Sequence, residues 1–322
     1  MIPPIRVCIA IVLAIWTAGA AAQAYPSRPI RIVVPFPAGG PTDLTARVMV
    51  PRLTELLGQN IIVDNRAGAT GIIGAEMVAK APPDGYTLLM ATASVVAINM
   101  VTYSKLPYDT LRDLLPLTPV MTTTTILVVH PSVPAKSLKE LVALARARPG
   151  QVTMGSAGTG GTLHLALEML NKEAGVNMTH VPYKGAAPAV VDVIAGQLSG
   201  MFVDLPVVSP YIKAGRVRAL AVASPKRSVY FPDVPTTKEA GFPNVELQNY
   251  YALFLPAKTP REIVTKLHDA VLKAVNTPGV REKLIGFGAD PLTMTPEEFT
   301  RFLRADIEMW GRVVKAAGVK VE

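Results

Sequence analysis

Two glycine-rich segments have the clearest capacity for chemistry in this sequence. Residues 35–43 read PFPAGGPTD and residues 155–162 read GSAGTGGT, and each segment follows an apolar run and precedes a helical pattern. The free N–H groups of a helix start, together with the positive end of the helix dipole, bind carboxylates and phosphates. Glycine lets such a ligand approach the backbone closely. We predict an anion-binding loop in each segment, with an ordinary strand-to-helix turn as the alternative for each.

A few side chains near these segments could complete such a site. Asp43 could receive an amino or hydroxyl group of a ligand, or only favour the N-terminus of its own helix. His164 follows the second segment at a helix start, where it is either a ligand contact or a capping group. Tyr183 and Lys184 could supply a hydroxyl and a positive charge, although a lysine on a solvated loop needs no function. Asp204 ends an apolar strand, which suits a cleft position or a cap for the following turn.

The common catalytic motifs fail in these segments. A phosphate-binding Walker loop needs Lys where Gly161 stands, and a nucleophile elbow needs Gly where Met154 stands. A dinucleotide-binding G-x-G-x-x-G fails because Leu163 occupies the third glycine position. The four histidines show no metal-ligand spacing, so we expect no metal, no cofactor and no catalytic residue. Ser156 with His164 is the one pair that would suit the alternative of an exported hydrolase.

Composition narrows the class of protein. The chain has 322 residues, of which 50% are apolar and 17% charged, and its formal net charge is +8. These values exclude a disordered chain, and the single cysteine, Cys8, excludes a disulfide scaffold. Basic residues are spread singly and only 6% of residues are aromatic, so we do not expect a nucleic-acid partner.

The N-terminus has the pattern of a secretory signal peptide. Arg6 precedes an apolar run over residues 7–22, and Ala-Gln-Ala follows at residues 22–24. A membrane anchor is the alternative, but the strongly apolar part, residues 7–16, is shorter than the ~20 residues that span a bilayer. Cleavage after Ala24 would leave 298 residues with a net charge of +7 and no cysteine. We therefore expect a periplasmic protein that folds without disulfides.

The elements that position these residues alternate between strand and helix patterns. A β-branched run at residues 30–35 precedes the first glycine-rich segment, and a helical repeat over residues 43–57 follows it. Such alternation predicts an α/β fold with mainly parallel sheets flanked by helices. Further strands are predicted at residues 60–64, 86–91, 126–130, 152–155, 179–182, 201–204, 218–223 and 250–255, and further helices at residues 72–80, 137–147, 162–174, 187–195, 261–276 and 296–317.

The chain is predicted to form two lobes. The Thr-rich residues 121–125 and the loop residues 224–228 are the expected crossings between them. Lobe 1 is then discontinuous, with residues 25–123 and 225–322, and lobe 2 is residues 124–224. This topology places a cleft between the lobes, and ligands bind in clefts of this kind.

Several motifs in combination resemble the Bug family, the extracytoplasmic solute receptors of tripartite tricarboxylate transporters. They are YPSRPIRIVVPFPAGG at residues 25–40, VDNRAGATG at residues 63–71, PDGYTLL at residues 83–89 and VPYKG at residues 181–185, together with the second glycine-rich segment and His164. The resemblance covers essentially the whole chain after residue 24. It implies a two-lobed, type II-like periplasmic binding protein fold that closes on one small organic acid, aromatic carboxylate or amino acid, with no chemical step.

The resemblance also implies how the ligand is held. Main-chain groups of the two glycine-rich segments and ordered water would bind one carboxylate, and Asp43 and Asp204 would bind the other end, with Thr92 and Ser94 as additional contacts. We expect a monomer that delivers its ligand to a permease of the tripartite type, with a ligand-sensing accessory protein for a membrane signalling partner as the alternative. The predicted ligand-binding residues are Phe36, Ala38, Gly39, Gly40, Thr42, Asp43, Thr92, Ser94, Ser156, Ala157, Gly158, Thr159, Gly160, His164, Tyr183, Lys184 and Asp204.

Overall fold

The computed structural model describes residues 25–319, and the strands in this range form two joined sheets. The signal-peptide prediction falls on residues 1–24 and so lies outside the described residues. In chain order the strands are β1 (Ile30–Val34), β2 (Ile61–Asn65), β3 (Thr87–Thr92), β4 (Leu114–Val129), β5 (Thr153–Ser156), β6 (Thr179–Pro182), β7 (Gly200–Asp204), β8 (Arg218–Val222), β9 (Gln248–Pro256) and β10 (Ala289–Pro291).

Helices connect most of these strands, which confirms the predicted α/β class. Within residues 25–319 no helix is both long enough and apolar enough to cross a bilayer. A 3₁₀ turn spans Ala69–Gly71 and a π-helical turn spans Ser94–Ile98. The α-helices are α1 (Pro41–Leu57), α2 (Ile72–Ala79), α3 (Asn99–Thr102), α4 (Thr110–Asp113), α5 (Leu138–Ala147), α6 (Thr162–Ala174), α7 (Ala186–Ile194), α8 (Leu205–Lys213), α9 (Arg261–Asn276), α10 (Pro278–Gly286) and α11 (Pro296–Ala317).

The first sheet brings the first glycine-rich segment to the end of a neighbouring strand. β1 lies between β2 and β3 and is parallel to both. Its IRIVV residues are almost all buried, as expected for a parallel strand that is covered on both faces. Because β1 and β3 run the same way, their carboxyl ends share one edge of the sheet. The segment after β1 therefore lies near Thr92 and Ser94 at the end of β3.

The second sheet repeats this arrangement. β5 lies parallel to β6 and to β7, while β4 is antiparallel to β7 and β8. The carboxyl ends of β5 and β7 consequently meet at one edge. This edge holds the second glycine-rich segment, which follows β5, and Asp204, the last residue of β7.

β4 belongs to both sheets and joins them. Thr124 pairs with Gln248 of β9, and the next residue, Thr125, pairs with Asp204 of β7. The sheets are mixed. The groups β1–β3 and β5–β7 are parallel as predicted, whereas β4 pairs antiparallel with β7, β8, β9 and β10 because the chain leaves the first sheet along β4 and returns along β9. Below, lobe 1 is the first sheet with its helices and lobe 2 is the second sheet with its helices.

The connection from β8 to β9 stays against lobe 2 for most of its length. Thr236 forms a bridge with Val222, and the Leu247 N–H donates to the Ala223 carbonyl at 3.0 Å. The chain therefore joins the first sheet only where β9 begins. The residue boundaries of the lobes at 124 and 225 stay predictions.

The last helix, α11, packs on β4, on the π-helical turn and on α6 of lobe 2. It starts with a capping box, in which Thr295 and Glu298 each bond the other's backbone N–H. Trp310, on the inner face of this helix, is buried. Asp306, also buried, accepts a hydrogen bond from the Tyr250 hydroxyl at 2.9 Å, and burial raises the pKa of this carboxyl to about 6.

Candidate functional site

A small cavity lies between the lobes, at the strand ends that carry the two glycine-rich segments. The space inside it is about 30 Å³, room for about two water molecules, so the lobes are closed on each other. Residues from both lobes and from the crossing strands form its wall. They are Phe36, Pro37, Gly40, Pro41, Thr42, Thr92, Ser94, Ala157, Thr162, Leu163, Ala186, Asp204, Asn249 and Tyr251.

The structure brings part of the predicted site to this cavity. Asn249 and Tyr251 on β9, and Thr162, Leu163 and Ala186 at helix starts, line it without having been predicted. The predicted residues that line it are Phe36, Gly40, Thr42, Thr92, Ser94, Ala157 and Asp204. Those outside the lining are Ala38, Gly39, Asp43, Ser156, Gly158, Thr159, Gly160, His164, Tyr183 and Lys184.

Three helices start at the cavity wall, and each follows a glycine. α1 starts after Gly40, α6 after Gly161 and α7 after Gly185, and a glycine N-cap offers no side chain of its own. At α6 the first N–H, that of Thr162, donates across the lobe boundary to Ser94 Oγ at 3.0 Å. Elsewhere in the described chain Ser137 and Thr295 cap α5 and α11 with their hydroxyl oxygens. A glycine cap otherwise leaves the first N–H groups and the positive end of the helix dipole open to the cavity. These helix starts can therefore bind an anion.

Charged side chains contribute little to the cavity wall. Among the described residues that line it, none is a lysine or an arginine, and Asp204 is the one carboxylate. An anion held here would be bound by backbone N–H groups and by hydroxyls such as those of Thr42 and Thr92. Neutral donors on rigid elements can bind a carboxylate without the desolvation cost of a buried cation.

Asp204 lies at the floor of the cavity and is almost fully buried. Its Oδ1 accepts a hydrogen bond from the Thr125 hydroxyl at 2.7 Å. Its Oδ2 accepts bonds from Asn249 Nδ2 at 2.8 Å and from the Tyr251 hydroxyl at 2.5 Å. Burial raises the pKa of Asp204, and these three donors act in the opposite direction. Asp204 thus joins β7 to β4 and β9, and Oδ1 keeps a lone pair for a donor on a ligand.

Asp43 lies behind the first glycine-rich segment. Its carboxylate accepts hydrogen bonds from the Gly39 N–H and from Arg47 Nε, both at 2.9 Å, and from Asn65 Nδ2 at 3.0 Å. Asn65 Nδ2 also donates to the Phe36 carbonyl at 3.0 Å. Burial raises the pKa of Asp43, but the bonds from Arg47, Gly39 and Asn65 outweigh it and the pKa is lowered. Asp43 and Asn65 therefore shape this loop, and Gly39 supplies its left-handed turn at φ +78°.

Two histidines form hydrogen bonds with the second glycine-rich segment. Ser156 Oγ lies 2.6 Å from His180 Nε2 and accepts the Gly158 N–H at 3.2 Å. His164 Nδ1 accepts the Gly160 N–H at 3.0 Å. The two imidazole rings stack with their centroids 3.8 Å apart. Burial, with the nearby charge of His164, lowers the pKa of His180 to about 4.

The pair considered for a hydrolase is not arranged for that chemistry. Ser156 bonds His180 rather than His164, and the Ser156 side chain is fully buried. Tyr183 donates its hydroxyl to Asp192 on α7 at 2.5 Å, and burial followed by this contact raises the pKa of Tyr183 to about 12. Lys184 is exposed beside it. These residues support the loop or face solvent.

The family model of the tripartite tricarboxylate transporter family receptor matches residues 45–319. The chain belongs to this family. Its members are periplasmic solute-binding proteins, which are not enzymes. The resemblance predicted from the motifs is confirmed.

Curated relatives and solved structures agree with this assignment. BugT of Bordetella pertussis is 37% identical to this chain, over 98% of the chain and 99% of BugT. Rpa4515 of R. palustris, solved with adipate, has a TM-score of 0.89 at 37% identity, covering 92% of this chain and 99% of that one. MatC of Rhodopseudomonas palustris, solved with bound malate, has a TM-score of 0.86 at 32% identity, with 90% and 100% covered. The predicted periplasmic binding protein fold is thereby confirmed.

Proposed function

We propose that this receptor-family protein binds a small carboxylate-bearing metabolite between the lobes at this cavity, which must widen beyond its present volume of about 30 Å³ to hold an organic acid, and delivers it to the permease of a tripartite tricarboxylate transporter. One observation carries the proposal: three helix starts with glycine caps, after Gly40, Gly161 and Gly185, meet at one cavity between the lobes. Each start presents N–H groups and a partial positive charge. Rpa4515 and MatC, whose structures hold adipate and malate, support a carboxylic acid as the ligand class.

The proposed site uses the two glycine-rich segments for one end of the ligand. The segment with Gly40 and Thr42 would hold a carboxylate from lobe 1, and the segment with Ala157 would hold it from lobe 2, directly or through ordered water. Binding to both lobes favours the closed state, because the ligand then has more partners than in the open state. Hydrogen bonds from neutral groups are reversible enough for release to a permease.

Asp204 would select what lies at the other end of the ligand. Its carboxylate repels a second carboxylate that approaches without a proton, and its Oδ1 can accept a bond from a hydroxyl or amino group. We therefore propose a ligand with its anionic end toward the glycine-capped helices and a hydroxyl, amino or uncharged end toward Asp204 and Asn249.

Calorimetric titration tests the ligand class. Protein unfolded and refolded to remove any bound molecule would be titrated with adipate, malate, aromatic acids and amino acids, each beside its primary amide as the matched control. We expect saturable heat from at least one acid and none from its amide. Absence of binding by every acid, from protein that refolds with native circular dichroism, would contradict the carboxylate assignment.

The proposal also includes the compartment, the oligomeric state and the lobe boundaries of the protein. We propose that it works as a monomer in the periplasm and that residues 25–123 and 225–322 form lobe 1 around lobe 2, residues 124–224. Light scattering of the purified protein should then give a mass no greater than that of one chain, 34.2 kDa. A stable dimer mass would contradict the monomer.

A further inference from the structure

We propose that Thr70 of lobe 1, with Gly161 and Gly185 of lobe 2, forms an interlobe latch that sets how firmly the closed protein retains its ligand. The latch rests on the proposed function, because retention presupposes a ligand in the cavity. None of these three residues is among the residues that line the cavity. The side-chain positions of Gly161 and Gly185 face lobe 1, so substitution there would act on closure and leave the backbone N–H groups of the helix starts in place for the ligand.

Hydrogen bonds join residues of lobe 1 to lobe 2 at the latch. The Thr70 hydroxyl donates to the Thr159 carbonyl at 2.8 Å, and the Tyr103 hydroxyl lies 3.3 Å from the same oxygen. Beside them, the Thr162 N–H donates to Ser94 Oγ at 3.0 Å. Thr70, Ser94 and Tyr103 belong to lobe 1, whereas Thr159 and Thr162 belong to lobe 2. Each of these bonds exists only while the lobes are closed.

The backbone that carries Thr70 is held in an uncommon conformation. Ala69 and Thr70 are consecutive residues with φ of 46° and 50°, in the left-handed region that favours glycine. Asn99 Nδ2 donates to the Thr70 carbonyl at 3.1 Å and holds the turn from inside lobe 1. Strained residues of this kind persist where the surrounding structure enforces them, and they concentrate at clamps and switches. Here the strain aims the Thr70 hydroxyl across the lobe boundary.

Two glycines on the surface of lobe 2 leave room for the close approach of lobe 1 in the closed state. A Cβ on Gly185 would lie 2.5 Å from Pro37 Cδ, and a Cβ on Gly161 would lie 3.1 Å from Ser94 Oγ. Both neighbours belong to lobe 1. Gly161 has φ −80° and Gly185 has φ 166°, and either value suits any residue. The backbone of lobe 2 therefore does not require glycine at these positions, but closure does.

The latch predicts a particular pattern of binding. Apparent affinity scales with the fraction of protein that can reach the binding-competent state. A change that weakens closure without touching the ligand should weaken every ligand by the same factor. The ratio of affinities for two acids should stay that of the parent.

The test compares latch variants with matched controls. Thr70→Val removes the hydroxyl, while Gly161→Ala and Gly185→Ala each add one methyl group at the lobe boundary. Thr110→Val is the control for the first, because the Thr110 hydroxyl is buried without a partner among the described residues. Gly286→Ala is the control for the others, because its Cβ would meet nothing within 4 Å.

Interlobe distance is the readout that does not depend on ligand identity. Pulsed electron paramagnetic resonance between two spin labels would measure this distance. The labels would be attached at Ile62→Cys and Val191→Cys, which lie on different lobes and are 51% and 61% exposed, in a Cys8→Ser background. Titration with adipate, malate and any other acid that the parent binds would report affinity and selectivity. Thermal unfolding would verify that each variant is folded.

We expect longer interlobe distances in the latch variants than in the parent and controls. We also expect affinities about fivefold weaker for Thr70→Val and more than about tenfold weaker for Gly185→Ala, with unchanged ratios between acids. Three results would each overturn the latch. Folded variants could keep the parent's distance distribution, the parent could never populate a closed state, or the ratios of affinities between acids could change. If the parent closes but binds no acid, and the variants shift it to longer interlobe distances, the proposed function is contradicted and the latch is supported.

Discussion

Asp204 takes part both in the cavity and in the crossing between the lobes. Its carboxylate lines the cavity and also accepts three hydrogen bonds from β4 and β9. Loss of an acceptor leaves buried donors without partners, which costs more than the net value of a hydrogen bond. If the proposed ligand site is right, Asp204 therefore couples ligand recognition to stability.

We expect Asp204→Asn to lower the free energy of unfolding by about 1–3 kcal/mol, because its amide group faces donors where a carboxylate oxygen accepted them. Urea unfolding measures this loss. Thr125→Val, which removes one donor and keeps the carboxylate, should cost less and is the control. An Asn variant as stable as the parent would show that the three bonds do not hold the crossing.

His180 gives the protein an acid-sensitive contribution to stability. Its pKa is lowered from 6.5 to about 4, so its contribution is complete above pH 6.5 and is lost as the pH falls through 4. We expect the free energy of unfolding of the parent, relative to His180→Gln, to fall by up to about 2 kcal/mol from pH 7 to pH 4, after allowance for partial exposure. Denaturant unfolding at several pH values measures the difference, and parallel pH profiles would contradict the assignment.

At the scale of elements, the strand and helix patterns around the glycine-rich segments are well predicted by the sequence. β1, α1 and α6 lie within about two residues of their predicted bounds, because β-branched runs and helical spacing act locally. β4 is different: only its end, from residue 126, was predicted. Pro116 and Pro119 argue against a strand, but the pairing of β4 with β9 shifts register beside both prolines and so accommodates them.

The candidate site is less predictable than the elements. Asn249 and Tyr251 reach the cavity because β9 crosses between the lobes beside β4, and a crossing is a tertiary event that local spacing does not encode. Asp43 has the type and position of a ligand contact, yet the structure engages it with Gly39, Arg47 and Asn65. Glycine helix caps are the signal in the sequence that best marks the cavity wall.

α11 carries a pH-dependent contribution of the opposite sign to that of His180. Because the pKa of Asp306 is raised from 3.8 to about 6, its contribution is complete below pH 3.8 and is lost as the pH rises through 6. We expect Asp306→Asn to gain up to about 3 kcal/mol of unfolding free energy relative to the parent between pH 4 and pH 7. Denaturant unfolding at both pH values measures the gain.

At the scale of the whole molecule, ligand binding should stabilise both lobes together. The buried core that contains Phe202 of lobe 2 extends to Trp310 of α11 and to Val33 of lobe 1, so one core joins the lobes, while a second core around Met49 and Leu253 lies within lobe 1. We expect one calorimetric unfolding transition whose midpoint temperature rises with ligand. The free energy of unfolding should increase by about 2.7 kcal/mol at a ligand concentration of 100 Kd. Two transitions, of which one responds to ligand, would contradict shared unfolding.

The glycine-capped cavity also determines how the protein responds to salt. Ion pairs at an exposed surface weaken as ionic strength rises, whereas buried hydrogen bonds from neutral groups are screened far less. A receptor that binds its acid through backbone N–H groups should lose little equilibrium affinity between dilute and saline surroundings, because salt screens only the long-range attraction of the net positive charge, which also speeds the encounter. Scavenging can then continue across wide changes in external salinity.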